Sequence, residues 1–488
     1  NGPMIWSPDS NVLFGPVPDL TGYFCCNGII PGFSQSGGMG LLAAQWIIEG
    51  ETKYDMFAWD MARYGTWAGK AFTKARVGDQ YADRVKIHFP NEERAAGRPV
   101  RTRPAYQMQR DMGAVMGLNY GWEHPLWFAD APGVEDTDGF TRQNWWEPVG
   151  AECRMLREKG GIIDISNFAK YVCKGPGAEE WLNAVFANRM PRLVGRSCLT
   201  PLIGKRGGIA GDFTVTRLGE GEFWIIGSGM AERYHARFFK QVPLPAGTTF
   251  ESHTETMCGF NVAGPESRAM LQRMTNASLA NEDFPFMRSA RIELVGVEVL
   301  ALRVSFTGDL GWELHCATEH QAQLYAALIE AGREMGIGPV GSRALMSLRI
   351  EKGYGSWSRE YSPEYWPQEV GLDRLIKMDK DFLNKDAVAD VLSQPARESL
   401  VLLHLDEADT QASGADATGG EPVFSGHNGV GRVTSGAYGY SVGMSLALAY
   451  VKGVGPGDRV DVMVLGRPHK ATILDAPPFD ADGKRLRG

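Results

Sequence analysis

The stretch FAKYVCKGPGAEEWLNAVFANRM, residues 168–190, runs from an apolar strand-like segment into Gly175-Pro176, two acids and an amphipathic helix pattern. The same order returns at 259–278 in GFNVAGPESRAMLQRMTNAS. In both, residues before the Gly-Pro pair suit a strand, and apolar residues after it recur at helical spacing. Pro176 and Pro265 fall where a helix start tolerates a missing N–H. Glu179, Glu180 and Glu266 fall where the helix dipole favours negative charge. A unit that recurs with flanking strands predicts a duplicated α+β domain, its sheets covered by helices on one side. A third helix, EHQAQLYAALIEAGREMG at 319–336, follows a strand pair at 291–306 and the segment GDLGWELH at 308–315.

Upstream, residues 1–50 alternate turn signals with short strands: Pro8-Asp9, Gly15-Pro16 and Pro18-Asp19, then the apolar run Tyr23–Cys26. PGFSQSGGMG (31–40) reads as a glycine-rich turn before a helix in LLAAQWIIEGE (41–51) that stops near Gly50. Strand, glycine turn and helix in that order can hold an anion or cofactor at the helix N-terminus. Gly37-Gly38-x-Gly40 lacks the full dinucleotide fingerprint, and close backbone packing accounts for such glycines equally well. Residues 51–130 are rich in Trp, Tyr and Arg, and the polar stretch FADAPGVEDTDG (128–139) marks a boundary. Downstream, LDEADTQASGADATGGE (405–421) reads as a surface loop inside a region of short strands and turns, 423–441 and 457–474. That region predicts a small all-β barrel or sandwich. The division expected is therefore 1–129, 130–385 and 386–488.

Composition narrows the classes. With 488 residues, 43% of them hydrophobic and 22% charged, the chain has material for several packed domains. Net charge is −8 and no Lys/Arg run occurs, which argues against a nucleic-acid partner. No apolar stretch approaches the ~18–20 residues that span a bilayer. Nor do the first residues, NGPMIWSPDS, form a secretory signal. Seven cysteines without a CxxC pair read as reduced, mostly buried thiols of a reducing compartment. That compartment is the cytoplasm, or the mitochondrial matrix in a eukaryote. Nine scattered histidines with no HxH or HExxH spacing give a metal site no support.

One carboxylate stands apart. In GGIAGDFTVT (207–216) three glycines surround the approach to Asp212, and a β-branched and aromatic run follows it. Taken alone, the pattern describes a turn aspartate capping its own backbone as readily as a catalytic acid.

Five stretches in order resemble the folate-binding family of the glycine cleavage T-protein, and more closely its fused relatives, dimethylglycine dehydrogenase and sarcosine dehydrogenase. They are EPVGAECRMLREKGGIIDISNFAKYVCKGPGAEEWLN (147–183), GGIAGDFTVTRL (207–218), RVSFTGDLGWELH (303–315), SLRIEKGYGSWSREYSPEYWPQEVGL (347–372) and GRVTSGAYGYSVGMSLALAYV (431–451). The opening residues are similar to the closing part of a flavin amine-oxidase domain of the D-amino-acid-oxidase type. The resemblance implies a folate-binding pair of ferredoxin-like units around a central hole, a C-terminal barrel, and an N-terminal remnant of a FAD-dependent oxidase domain. The strand–helix unit and the histidine that bind flavin in that family have no counterpart here. The sequence thus reads as the C-terminal part of a larger bifunctional enzyme, with FAD expected only alongside that missing portion and a flavin-domain chain as a possible partner.

The resemblance also implies chemistry. In the family the flavin half oxidises an N-methyl amine to an iminium, and the second half passes the one-carbon unit to tetrahydrofolate, giving 5,10-methylene-tetrahydrofolate. Asp212 matches the family's catalytic acid, where the T-protein usually has two adjacent acids and this chain has Gly211 first. Glu313 matches the pterin-binding glutamate, since a carboxylate accepts the pterin N–H and amino group together; a solvent-facing strand glutamate is its plain alternative. Arg349 is divided between a folate contact and a buried ion pair. Tyr354, Trp357 and Tyr361, and more weakly Tyr234, are candidates for an aromatic wall or for plain core. Gly37, Gly38 and Gly40 are assigned to a flavin edge where that domain is completed. Two other readings stand beside this one: a flavin-independent O- or S-demethylase using tetrahydrofolate, and a folate-binding protein without catalysis.

Overall fold

The computed structural model describes residues 4–488. It opens on a hairpin, β1 (Leu13–Pro16) and β2 (Phe24–Asn27), followed by helix α1 (Gly32–Glu49). The glycine turn expected over 31–40 is instead helix: α1 begins directly after Pro31 and ends at Gly50, φ +80°. Burial overrides the low helix propensity of glycine here. Met39, Leu42, Ala43 and Trp46, at i, i+3, i+4 and i+7, pack against Phe14, Phe24 and Met56. Helix α2 (Lys70–Ala82) completes this first part.

Helix α3 (Tyr106–Asp111) and the hairpin β3 (Ala114–Asn119)–β4 (Trp122–Phe128) belong by packing to the body that follows. Ala105 sits in its core, and Val115, Leu126 and Trp127 pack with Val149 and Leu156 of α4 (Trp146–Glu158). That contact reaches across the polar stretch 128–139.

Strand β5 (Gly161–Asp164) then leads into the first repeat: β6 (Ala169–Lys174), α5 (Ala178–Val185), the meander β7 (Ser197–Ile203), β8 (Ile209–Gly219), β9 (Glu222–Gly227), helix α6 (Glu232–Phe239) and edge strand β10 (Thr249–Ser252). The second repeat has the same order: β11 (Met257–Ala263), α7 (Ser267–Gln272), β12 (Ser289–Leu294), β13 (Val297–Leu302), β14 (Gly311–Ala317), α8 (Gln321–Arg333) and β15 (Gly338–Val340). The sheets run β10-β6-β9-β8-β7 and β12-β13-β14-β11-β5-β15, so β5 slots between β11 and β15 in the second.

Both Gly-Pro junctions are built alike. Gly175 (φ +137°) and Gly264 (φ +119°) take conformations disfavoured for other residues, and a Cβ would stand 2.3 Å from Gly247 O or 2.4 Å from Leu156 O. The prolines lie one residue ahead of the helix caps Gly177 and Glu266, not inside the first turn. Glu266 is thus itself the cap residue, while Glu179 and Glu180 occupy the first turn of α5 as expected.

Each sheet buries one face under its helices. Tyr171, Phe213, Val215 and Ile225 pack with Trp181 and Leu182 of α5 and Phe238 of α6. Phe260, Trp312, Leu314 and Val299 pack with Met270 of α7 and Leu324 of α8. The two remaining faces turn toward each other, where Trp224 and Ile226 of one sheet meet Leu300 and Leu302 of the other.

Helix α9 (Ser342–Glu351) and α10 (Lys385–Leu392) connect to a closed barrel of β16 (Ser399–Leu405), β17 (Pro422–Ser425), β18 (Asn428–Gly439), β19 (Met444–Val451), β20 (Arg459–Val464) and β21 (Arg467–Ile473). The expected loop over 405–421 contains helix α11 (Glu407–Ser413), capped by Gly414 at φ +64°. Thr410 on it is buried, and Ala415 and Ala417 beyond it enter the barrel core, which a reading by polarity alone overlooks. A last turn, α12 (Lys484–Arg487), closes the described chain. All seven cysteines are free thiols, and no described helix is long and apolar enough to cross a membrane.

Candidate active site between the two sheets

Asp212 lies in β8, and alternation along the strand puts it with Thr214 and Thr216 on the face turned to the second sheet. Phe213 and Val215 go to the helix-covered core. The strand is irregular just before it: Leu202 pairs with Gly211 and Ile203 with Ile209, so Ala210 is an extra residue without a partner on β7. Such a bulge bends a strand and re-aims the side chains beside it. The carboxylate keeps a narrow exposed edge but is surrounded by protein. Burial pushes it up to about 6, offset only by its own backbone N–H. Its charge acts on the Tyr361 hydroxyl, whose acidity burial suppresses first and Asp212 suppresses further.

The glycines around Asp212 make room for the chain itself. A Cβ at Gly207 would stand 2.6 Å from Ala387 O, at Gly208 2.0 Å from Pro363 O, and at Gly211 2.7 Å from His235 Nε2. The turn is therefore threaded under residues 363–365, whose Tyr365 O accepts the N–H of Ile209 at 3.1 Å.

Glu313 in β14 sits directly across from Leu302, on the face opposite the helices, and so faces the first sheet. It is partly exposed and accepts a 3.3 Å hydrogen bond from Nε2 of His315, two residues along the same face. His315 is buried beside Trp224 (ring centroids 5.5 Å apart), and burial holds it below the usual histidine range. Lys170 on β6, also inside, donates to Ser166 O (3.0 Å) and Phe168 O (2.8 Å); burial first, then Arg103, pulls it down to about 8. Asp212 and Glu313 thus occupy facing sides of the two sheets.

Arg349 is placed differently. Its guanidinium is fully buried, bonded to Glu360 Oε2 and Tyr354 O at 2.8 Å each and to Ser435 Oγ at 2.8 Å. Of its two readings, the buried ion pair is the one these contacts support, and they tie α9 to the barrel strand β18. Tyr354 is stacked on Phe306 with centroids 6.0 Å apart. Trp357 and Tyr234 belong to the core under the first sheet, packed on Phe57 and on each other at 5.7 Å. Of these aromatics, Tyr361 is the one whose hydroxyl feels the Asp212 charge. Gly37, Gly38 and Gly40 lie inside α1, where an added Cβ would touch nothing within 4 Å, so they form no phosphate-binding turn.

His235, His315 and Lys170 carried no signal in the sequence. Each is a lone polar residue in a strand or helix pattern, and only packing sets His315 beside Glu313, Lys170 between the sheets and His235 against Ala210 behind β8. No group of three or more His, Cys, Asp or Glu side chains among the described residues is arranged to hold a metal ion.

A duplicated sheet pair, a six-strand barrel and a carboxylate with no paired cation between the sheets define a protein of the aminomethyltransferase fold. The crystal structure of aminomethyltransferase T of the glycine cleavage system from Bartonella henselae shares this fold, at TM-score 0.66 and 21% identity, over 78% of this chain and 98% of that one. Residues 105–380 match the GCVT N-terminal domain, 399–480 the glycine cleavage T-protein C-terminal barrel domain, and 49–102 the FAD dependent oxidoreductase central domain. The chain belongs to the glycine cleavage T-protein family. Mouse mitochondrial dimethylglycine dehydrogenase is 34% identical over the whole chain, which covers 56% of that protein. The formaldehyde-forming 4-methylaminobutanoate oxidase of Paenarthrobacter nicotinovorans is 30% identical, again over the whole chain and 59% of that protein. The chain spans little more than half the length of the curated relatives it matches.

Proposed function

We propose that this chain carries the tetrahydrofolate-dependent one-carbon transfer step of a FAD-linked demethylase acting on an N-methyl amine such as dimethylglycine or sarcosine. Tetrahydrofolate is a substrate here. FAD would supply oxidation of the amine from a flavin-binding unit outside the described residues, and no step of this chain runs through it. The folate nitrogen attacks the iminium carbon, forming a C–N bond, and gives up its proton to Asp212. The amine then leaves, taking that proton, and the second folate nitrogen closes the methylene bridge. Both N–H protons of the folate end on the released amine, so the carboxylate returns unchanged.

One observation carries this reading: Asp212 is half-buried between the sheets with no ion-pair partner among the described residues, so its midpoint near 6 leaves it mostly ionised at neutral pH yet basic enough to take a proton. Glu313, on the facing sheet, is assigned to the pterin N–H and amino group, and Tyr361 to the edge of the ring. Arg349, Tyr354, Trp357 and Tyr234 support the walls of the site from behind. A compartment is part of the same proposal: the mouse relative is mitochondrial, and free thiols suit the matrix or the cytoplasm.

The test is capture of formaldehyde or iminium on tetrahydrofolate by the purified chain. Asp212→Asn is expected to lower the rate about a hundredfold or more, and unchanged capture would remove Asp212 from the chemistry.

A further inference from the structure

His235 is neither a site residue by sequence nor in reach of Asp212's face, yet it governs the bulge from which Asp212 projects. Its ring, on α6, is fully buried. Nε2 lies 3.1 Å from Ala210 O, and because a carbonyl only accepts, Nε2 carries the proton. Ala210 is the extra residue of the bulge, outside the register of the β7 ladder, two positions before Asp212. The imidazole supplies a side-chain donor to its carbonyl. A buried backbone carbonyl without a donor costs on the order of 1–3 kcal/mol, enough to redraw a bulge.

Three contacts hold the ring in that position. It meets Phe213 edge-on at 4.8 Å and Trp357 at 5.1 Å, and Gly211 presents no side chain where Nε2 sits. Burial lowers His235 to about 3, so the ring stays neutral through the working range and keeps one tautomer. The imidazole is therefore a fixed donor, not a proton carrier.

We propose that His235 is a positioning residue for the one-carbon transfer, holding the Ala210 bulge so that Asp212 stays between the sheets in a desolvated setting. This rests on the reading of Asp212 above, and its test is separable from that reading. His235→Phe keeps the ring and removes the donor; His235→Gln keeps a donor of similar reach. The midpoint of Asp212 is followed by carboxyl-carbon NMR in the full chain, with Asp212→Asn assigning the signal, alongside kcat and KM for tetrahydrofolate and the melting temperature. In His235→Phe the midpoint is expected to fall from near 6 toward the ordinary aspartate value of about 4. kcat is expected to fall about tenfold or more with KM within about twofold. His235→Gln restores both. A midpoint unmoved in His235→Phe overturns the proposal whatever the rate does, as does an equal loss in Phe and Gln variants that follows melting temperature alone. A shifted midpoint in a parent chain that shows no transfer leaves the positioning role standing and removes the proposed reaction instead.

Discussion

Gly211 leaves no room on the helix-covered face of β8, since a Cβ there would stand 2.7 Å from His235 Nε2 and 2.8 Å from the Phe213 ring. The position ahead of Asp212 therefore admits no side chain without a shift of its neighbours. Gly211→Asp is expected to cost about 3 kcal/mol or more, from overpacking plus a buried unpaired acid, read as a lower denaturant midpoint at unchanged slope. Asp212 itself is a liability to the fold at neutral pH. Its carboxyl titrates near 3.9 unfolded and about 6 folded. Such a raised group contributes stability fully below about pH 4 and loses it as pH rises through 6. Removing the charge reverses the loss: Asp212→Asn is expected to be stabler than the parent by about 1–2 kcal/mol at pH 7.5, after allowance for the partly exposed edge, and level with it near pH 4. Denaturant melts at the two pH values check this. Activity moves the opposite way, so the acidic limb of the rate profile should have its midpoint near 6 and be absent from the variant. The sequence showed Asp212 as a lone acid but could not rank it above a turn cap, because burial and the missing cation are properties of the packed sheets.

At the scale of elements, a buried pair joins α9 to the segment 354–361, and both partners also bond to the barrel strand β18. Arg349 and Glu360 are both fully buried, and Glu360 also accepts from Ser356 N (2.9 Å) and Thr434 Oγ1 (2.7 Å). Arg349→Ala leaves Glu360 charged and buried without its partner, for which about 3–5 kcal/mol of destabilisation is expected. KM for folate in whatever remains folded should stay within about twofold, the outcome that separates fastening from ligand contact; a large rise in KM with an unchanged melting temperature would return Arg349 to the folate site. The run SLRIEKG showed that a long cation stood in an apolar helix. Its partner, eleven residues on and past a turn, was not legible. The same limit explains α1 and α11. The glycine-rich start of α1 (32–40) and the polar composition of α11 argue for loops, and both fold as helix because a few side chains, Met39 in one and Thr410 in the other, find a surface to bury against. By contrast, the Gly-Pro units were legible, since each junction needs a glycine at positive φ whatever surrounds it.

Over the whole molecule, the segment matched to the FAD dependent oxidoreductase central domain abuts the turn that feeds β8. Glu51 accepts the N–H of Arg206 at 3.0 Å, Glu49 pairs with Arg206 at 2.7 Å, and Glu364 accepts the N–H of Asp55 at 3.0 Å. Farther along α1 the outer surface is apolar and uncovered: Phe33, Leu41, Ile47 and Ile48 are all exposed. Apolar patches of this kind mark surfaces on which a further protein unit packs. Ile47→Glu with Ile48→Glu should change the stability of this chain by less than about 0.5 kcal/mol, yet weaken its association with such a unit in sedimentation; a large drop in melting temperature would show the face to be part of this fold's own core. What the sequence determined by itself is the duplication, the α+β class and a small all-β last domain, barrel or sandwich, because periodicity, Gly-Pro junctions and turn chemistry act over a few neighbouring residues; Asp212 became a candidate only through the family resemblance. Only the tertiary structure decided that Asp212 and Glu313 lie on facing sides of two sheets, that Arg349 pairs with Glu360, and that His235 meets the carbonyl of the bulge. Those outcomes depend on desolvation and on partners far along the chain, and neither is written in any local stretch.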